Sequence, residues 1–148
     1  MIAEFSIENF FSIKSAQKIS FEPSADTFMS DEYSYEVKNG VRLLKVGIIY
    51  GANASGKSNI IKCLAIIKEF ALNGWSNLKY NYFKMTDEPQ ERSSIELEFK
   101  ADNQFFAYGV AFSKGGLLEE WLYKTGSRND TMIFERKRNG DSWDNNIA

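Results

Sequence analysis

Eight consecutive residues, GANASGKS at 51–58, constrain the fold of this chain more than any other part of its sequence. They match the pattern GxxxxGK[ST], which joins a strand to a helix and wraps around phosphate groups. An apolar run at 46–50 comes directly before them, and we interpret it as a buried central strand. Apolar residues at helical spacing follow, with a stop at Asn73-Gly74. We expect that helix to bury four apolar residues against a sheet, namely Ile60, Ile61, Leu64 and Ile67.

The residue types of this motif suit a loop that holds phosphate. Gly51 and Gly56 tolerate unusual backbone angles and the close approach of a ligand. The amides of residues 53–58 can then point at a phosphate, and the positive end of the following helix adds to the attraction. Lys57 would bridge the β- and γ-phosphates, and the Ser58 hydroxyl would be a Mg²⁺ ligand. The alternative is a chance turn of Gly, Lys and Ser, which the flanking strand and helix patterns argue against.

The residues before the motif contain two further strand patterns. Residues 2–8 alternate between apolar and polar side chains, which predicts a half-buried strand, and residues 16–21 predict a second one. The polar segment 22–40 has no sustained period and contains several turn residues, so we interpret it as a long loop.

After an irregular segment at 75–93, the period of the sequence changes to two. Alternating residues separated by turn residues predict strands at 94–99, 105–112, 117–123 and 131–138. The second half therefore predicts an antiparallel meander. We expect a mixed α/β fold, in which a P-loop subdomain at 1–74 adjoins an antiparallel β lobe at 75–148.

Composition excludes several classes of function. Basic and acidic residues are balanced at 18 and 20, and neither half of the chain is a polybasic arm for nucleic acid. The absence of histidine excludes His-based metal sites and Ser-His or Cys-His catalysis. The single cysteine, Cys63, excludes an intramolecular disulfide and fits a reducing compartment. Because there is neither a secretory signal nor a long apolar run, we expect a cytoplasmic protein without membrane contact.

Three other features each allow two interpretations. Cys63 is either a small buried residue of the helix or a redox-active thiol. The basic run 136–138 is either a nucleic-acid contact or a guard against edge-to-edge strand pairing. The aromatic residues within 75–83 form either a base-stacking surface or a satellite core. In each case the structural interpretation is the simpler one.

The chain resembles a known group of nucleotide-hydrolysing proteins. The strings ENFFSI at 8–13 and YGANASGKSNIIK at 50–62 are similar to the N-terminal part of SMC/RecF-like ABC-type ATPases. Four later strings resemble the AAA-type ATPases of bacterial anti-phage loci, the abortive-infection and RloC-like group. They are SIELEF at 94–99, YGVAF at 108–112, LEEWLY at 118–123 and IFER at 133–136.

The resemblance implies a set of residues around ATP and Mg²⁺. They are Gly51, Asn53, Ala54, Ser55, Gly56, Lys57, Ser58 and Asn59. Within this set, Lys57 is the implied catalytic residue and Ser58 the implied metal ligand. Ser12 is implied near the nucleotide, because the first strands flank the base and ribose in these proteins. Two positions depart from the family, since Phe11 replaces a common Arg or Lys and Ala54 replaces a common glycine.

The resemblance also implies motifs that we do not find in this sequence: a Walker B Asp-Glu pair, a signature motif, a switch histidine and a glutamine loop. Residues 132–135 end an apolar run with an acid but lack the Mg²⁺-holding Asp. Residues 113–116 fit a hairpin turn better than a signature motif. We therefore interpret the chain as the N-terminal part of one ABC-like ATPase head, which would form a homodimer with ATP between its subunits.

The predicted function is an ATPase head that dimerises on ATP binding and resets on hydrolysis. It would act on DNA or on a toxic effector subunit in anti-phage defence. The alternatives are a non-hydrolysing regulatory module that depends on nucleotide, and a P-loop GTPase or kinase. We expect these residues alone to bind ATP·Mg²⁺ without turnover, because catalysis needs a carboxylate to orient water. The acids nearest to the motif in sequence are Glu36 and Glu69, and Glu69 lies about 18 Å further along the helix.

Overall fold

The computed structural model describes residues 1–25, 29–38, 40–74, 81–85, 92–126 and 129–148. Within these ranges the helices are α1 (Ser30–Tyr33) and α2 (Lys57–Asn73). The strands are β1 (Ile2–Glu8), β2 (Gln17–Ser20), β3 (Ser34–Lys38), β4 (Val41–Leu44), β5 (Ser93–Ala101), β6 (Gln104–Ser113), β7 (Gly116–Thr125), β8 (Thr131–Asn139) and β9 (Ser142–Ile147). The described part of the chain is therefore a mixed fold in which strands predominate.

One antiparallel sheet has the strand order β2-β1-β5-β6-β7-β8-β9, and β3 and β4 form a separate hairpin. Consecutive strands from β5 to β9 are neighbours, which confirms the predicted meander. Asp102 and Asn103 join β5 to β6 with φ angles of 45° and 62°, as a tight hairpin turn requires. β1 pairs with β5, so the first strands of the chain share a layer with the meander. The division of the chain at residue 74 remains a prediction.

Two segments contain elements that the sequence did not predict. The prediction of a continuous loop at 22–40 is wrong, because α1 and β3 lie within it. β3 pairs with β4, and buried Val37 and Leu43 pack with Ala3 in a small core. The sequence also does not predict β9, because polar residues fill most of this short strand and leave no clear alternation.

The main core lies between α2 and one face of the sheet. Cys63, Ile67 and Phe70 of α2 are buried against apolar residues of β1, β5, β6 and β7. Ile60 and Leu64 are partly buried against the same cluster, as expected. The expected burial of Ile61 is wrong, since this side chain is 58% exposed. It precedes Cys63 by two residues, about 200° around the helix, and so faces away from the sheet.

The apolar run 46–50 is not a strand in the described structure. Val46, Ile48 and Tyr50 are 69%, 83% and 91% exposed, and no described strand pairs with the run. The prediction of a buried central strand is therefore wrong for this chain. The physical reason is that a central strand is buried only when neighbouring strands and covering layers surround it.

Cys63 is completely buried in the core, which confirms its interpretation as a small apolar residue. Burial disfavours the charged thiolate and raises the pKa of the thiol to about 12. A thiol with such a pKa is a poor nucleophile at neutral pH, so nothing in its environment supports a redox role.

The face of the sheet opposite α2 carries closely spaced carboxylates. Glu4 of β1 lies directly across from Glu98 of β5, and Glu96 follows on the same face. Lys18 forms a 2.6 Å ion pair with Glu4. Burial raises the pKa of Glu98, and the negative charges of Glu4 and Glu96 raise it further. The carboxylates of this face therefore destabilise one another when they are all ionised.

Glu98→Gln is expected to increase the free energy of unfolding at pH 7 by about 0.2–1 kcal/mol, because it removes a like charge opposite Glu4. The pKa of Glu98 is higher in the folded protein than in the unfolded chain, so ionisation opposes folding as the pH rises between the two values. Urea unfolding should therefore show the gain at pH 7 and a smaller one near pH 3, where the carboxyl is protonated in both states. An equal gain at both pH values would contradict the electrostatic explanation.

Candidate phosphate-binding site

The loop 51–56 approaches another part of the chain so closely that it requires glycine at its last position. Gly56 has a φ angle of 94°, in the left-handed region that side chains rarely adopt. A Cβ atom added there would lie 2.7 Å from the Ser12 hydroxyl oxygen. Lys57 then begins α2, so the loop leads directly into the first turn of a long helix.

The N-terminus of α2 has no cap of its own. Gly56 occupies the N-cap position without a side-chain hydrogen bond, and the first turn contains no acidic residue. The first amides of any helix lack partners within the helix, and they carry part of the positive end of its dipole. This end of α2 is thus open to an anion, with amide donors and no competing carboxylate from its own first turn.

The Lys57 amine lies over the loop that precedes it. Its Nζ atom donates hydrogen bonds to the carbonyl oxygens of Gly51 at 2.8 Å and Ala52 at 2.6 Å. These bonds hold the positive charge beside the same helix end that offers its amides. The amine and the amides of the first turn therefore give this end of α2 a positive electrostatic character, which attracts an anion.

Ser12 contacts the helix from a distant part of the sequence. Its hydroxyl accepts a 2.9 Å hydrogen bond from the side-chain amide of Asn59, and it lies beside Gly56. The structure therefore brings together Ser12, Asn59 and the glycine of the loop. Asn53, Ala54, Ser55 and Ser58 are exposed along the same stretch, and Ala54 adopts a φ angle of 64°.

A cleft of about 350 Å³ adjoins Ser12 and Asn59. Phe11 lines one part of it, and residues 81–85 line another. The Phe11 amide donates a 2.6 Å hydrogen bond to the Asn81 carbonyl, which joins these two parts. Phe11 has a φ angle of 52°, because it lies in the tight turn that the reciprocal backbone hydrogen bonds between Phe10 and Ile13 close. Sequence reasoning did not identify this cleft, because neither the angle nor the contact leaves a pattern in the sequence.

Residues 48–148 match a protein family described as "AAA domain, putative AbiEii toxin, Type IV TA system". The matched region includes the glycine-rich loop, α2 and the whole meander, which is more than half of the chain. The chain belongs to this AAA-domain family. Among curated proteins, none matches the sequence.

The basic run 136–138 of the AAA domain forms ion pairs and hydrogen bonds within the described structure. Arg136 forms a 2.5 Å ion pair with Glu120, and Lys137 forms a 3.1 Å ion pair with Glu135. Arg138 donates hydrogen bonds to backbone carbonyls at both neighbouring turns. These residues lie on β8, which β9 separates from the sheet edge, so the interpretation as an edge guard is wrong. The contact with nucleic acid remains a prediction.

Other segments of the AAA domain have simple structural roles. Residues 132–135 lie within β8 of the meander, and residues 113–116 form the hairpin turn between β6 and β7. Most of the aromatic segment 75–83 falls outside the described residues. Tyr82 and Phe83 are described, and both line the cleft beside Phe11.

The hydroxyl of Ser58 is the metal ligand that the motif predicts, and it is exposed at the start of α2. In the described ranges, no three carboxylate or thiol side chains gather into a metal-binding group. This donor set fits Mg²⁺ that arrives with a nucleotide, since Mg²⁺ commonly takes one or two protein oxygens together with phosphates and water. Among the described residues, neither helix of the AAA domain combines the length and apolar character needed to cross a bilayer.

Proposed function

We propose that this AAA domain binds ATP·Mg²⁺ at the loop 51–58. The observation that carries the proposal is the open N-terminus of α2, with the Lys57 amine held over the carbonyls of Gly51 and Ala52. When a triphosphate binds, Lys57 would exchange the two neutral carbonyl acceptors for charged phosphate oxygens, which accept stronger hydrogen bonds. The amides of 53–58 would hold the β-phosphate, and Ser58 would contribute one oxygen to Mg²⁺.

The nucleoside would occupy the cleft that extends from Ser12. This assignment is supported by the contact of Ser12 with Gly56 and Asn59 and by the aromatic lining that Phe11 contributes. An aromatic ring offers stacking to a base, which the Arg or Lys found in many similar proteins would not offer in the same way. Ser12 is thus proposed as a neighbour of the ribose or base.

We further propose that the complete ATPase head contains more polypeptide than these residues. The run 46–50 supports this, because Val46, Ile48 and Tyr50 are exposed and no strand among the described residues pairs with the run. Additional polypeptide packed on the run would bury these side chains and support the loop 51–58 that follows them. In the SMC/RecF-like arrangement, two such heads would dimerise around ATP.

Hydrolysis would require a carboxylate that orients the attacking water, and the two acids nearest to the loop in sequence are held elsewhere. Glu69 accepts a 2.7 Å hydrogen bond from Asn73 at the far end of α2. Glu36 lies in β3 and accepts a hydrogen bond from the Gly40 amide. Neither acid contacts the loop, so we propose that ATP turnover belongs to the complete head. The family description, with its toxin–antitoxin context, supports a role in defence through an effector partner. Action on DNA remains a prediction from the resemblance alone.

Lys57→Ala is expected to weaken ATP·Mg²⁺ binding roughly tenfold to 100-fold. The reason is that charged hydrogen bonds to phosphate contribute about 1.5–3 kcal/mol. Isothermal titration calorimetry of the wild type and the variant measures this loss directly. Lys68→Ala is the matched control, because Lys68 is an exposed lysine of the same helix about three turns from Lys57.

Equal Kd values for wild type and Lys57→Ala would contradict the assignment of the phosphate site. An equal loss of affinity in Lys68→Ala would mean that the net charge of the protein, and not the position of Lys57, causes the effect. Phosphate release by the same wild-type sample tests the proposal that ATP turnover belongs to the complete head. Turnover that is well above background and needs Lys57 would show that this chain itself contains the catalytic carboxylate.

A further inference from the structure

Asn9, which directly follows β1, is a buried polar residue beside the cleft that we assign to the nucleoside. It is 1% exposed, and its φ angle of 48° lies in the left-handed region. Asparagine tolerates this region better than most residues, because its short polar side chain can form local hydrogen bonds. At Asn9 the chain leaves β1 and enters the turn 10–13, which reciprocal backbone hydrogen bonds close. Phe11 and Ser12 of this turn line the cleft.

The side-chain amide of Asn9 joins the turn to two other segments. Its Oδ1 atom accepts a 3.3 Å hydrogen bond from the backbone amide of Phe83. Its Nδ2 atom donates a 2.9 Å hydrogen bond to the carbonyl oxygen of Arg92. The hydroxyl of Ser93, the first residue of β5, donates a hydrogen bond to the backbone carbonyl of Asn9. These bonds fix the geometry around Asn9, because a buried polar group that loses its partner costs free energy.

Two walls of the nucleoside cleft meet at Asn9. One wall is the turn 10–13, and the other is the segment 81–85, which is neither helix nor strand. The position of such a segment depends on its contacts with neighbouring elements. The hydrogen bond from the Phe83 amide is one of these contacts, and it leads to the residue at which the turn begins. Asn9 is not among the described residues that line the cleft, so it would act on a ligand only through these walls.

Asn9 also connects both walls to the rigid part of the fold. Phe10, the next residue, is 1% exposed in the main core. β5, which Ser93 begins, lies in the interior of the sheet between β1 and β6. A binding site keeps its geometry when buried hydrogen bonds and packed elements support the residues that touch the ligand. Asn9 is thus placed to supply this support to the nucleoside cleft.

We propose that Asn9 is a positioning residue of the nucleotide site, which holds the turn 10–13 and the segment 81–85 in the arrangement that accepts the nucleoside. This inference rests on the proposed function and deepens it. The phosphate end depends on α2 and on Lys57, which donates hydrogen bonds within its own loop. The bonds of Asn9 instead support the walls around the base and ribose. Loss of Asn9 should therefore weaken binding of a nucleotide but not of an anion that has no nucleoside.

Asn9→Gly tests the proposal, because glycine tolerates the left-handed angle and removes only the side-chain amide. Isothermal titration calorimetry compares ATP·Mg²⁺ with the Mg²⁺ complex of inorganic tripolyphosphate, which has three phosphates and no nucleoside. Asn9→Gly should weaken ATP binding about five- to thirtyfold, as expected when one or two neutral hydrogen bonds no longer preorganise the cleft. Its affinity for tripolyphosphate should equal that of the wild type. Lys57→Ala should weaken the binding of both ligands.

Asn9→Asp is a milder variant for the same comparison. It keeps the acceptor for the Phe83 amide and removes the donor to the Arg92 carbonyl. It should weaken ATP binding about two- to fivefold and leave tripolyphosphate binding unchanged. If Asn9→Gly does not fold, Asn9→Asp decides the test.

Ser34→Ala is the matched control, because Ser34 is a buried, hydrogen-bonded polar residue of the separate hairpin of β3 and β4. It should bind both ligands as the wild type does. A loss of ATP affinity in Ser34→Ala that matches the loss in the Asn9 variant would overturn the proposal, because the effect would then follow from stability in general.

Two further results would overturn the proposal. One is unchanged ATP affinity in Asn9→Gly, or in Asn9→Asp if only that variant folds. The other is an equal loss of affinity for ATP and tripolyphosphate, which would give Asn9 a general structural role. Both would leave the effect of Lys57→Ala intact. If the wild type binds neither ligand, or if Lys57→Ala binds both as the wild type does, the proposed phosphate site fails and this inference fails with it.

Discussion

Phe112→Ala is expected to lower the free energy of unfolding by about 3–5 kcal/mol, the largest effect on stability that we predict here. Phe112 is 2% exposed in the main core. Its ring meets that of Phe10 edge to face, with 5.1 Å between centroids and 85° between planes. Truncation removes apolar burial and this ring contact, and it leaves a cavity that β6 and the sheet cannot close fully. Urea unfolding monitored by circular dichroism measures the loss.

Tyr33→Ala provides the control for aromatic truncation. Tyr33 is 58% exposed at the end of α1, so its removal should change the free energy of unfolding by no more than about 0.5 kcal/mol. A similar small loss for Phe112→Ala would mean that the packing of Phe10 and Phe112 in the main core is incorrectly described.

Gly109→Val is expected to lower the free energy of unfolding by about 1–3 kcal/mol, although valine generally favours strands. The added side chain would overlap the Trp121 ring, which covers Gly109 from β7. The ring must then leave its place and lose its hydrogen bond to Glu96. Thermal or urea unfolding quantifies this cost, and the indole N–H signal of Trp121 should shift at the same time.

A double-mutant cycle with Trp121→Ala isolates the contact. In the Trp121→Ala background, Gly109→Val no longer meets the indole ring, so its cost should fall close to zero or become a gain. If Gly109→Val costs the same in both backgrounds, the penalty belongs to the backbone of Gly109 and not to the overlap with Trp121. The cycle therefore separates two reasons for a glycine at position 109, the space that the Trp121 ring takes and the backbone conformation of Gly109.

Several elements could be predicted from the sequence because their signals are local. The alternation of residues 2–8 indicates β1, and the period of two after residue 93 indicates the strands of the meander. The length of α2 follows from apolar residues at helical spacing and from a stop at Asn73-Gly74. Each of these patterns arises because one face of an element is buried and the other is not. The pattern is therefore visible wherever such burial occurs.

The run 46–50 and Ile61 show where that reasoning fails. An apolar residue signals that it can be buried, but the sequence does not state which surface covers it. In this chain the sheet covers Cys63, Ile67 and Phe70 on one side of α2, whereas Ile61 and the run stay exposed. The sequence does not predict α1 and β3 for the opposite reason. Their residues are mostly polar and too few to show a period.

The candidate site shows the same difference between local sequence signals and contacts between distant residues. The sequence by itself determined the loop 51–58, its glycines and its lysine, because the residues that wrap around phosphate are consecutive and their chemistry is local. Only the tertiary structure decided that Ser12 meets Gly56 and Asn59 and that Phe11 borders a cleft. It also decided that Asn9 joins the turn that carries Ser12 to the segment 81–85. Such contacts join residues that are far apart in the chain, so they depend on strand register and on packing between layers, which no short stretch of sequence contains.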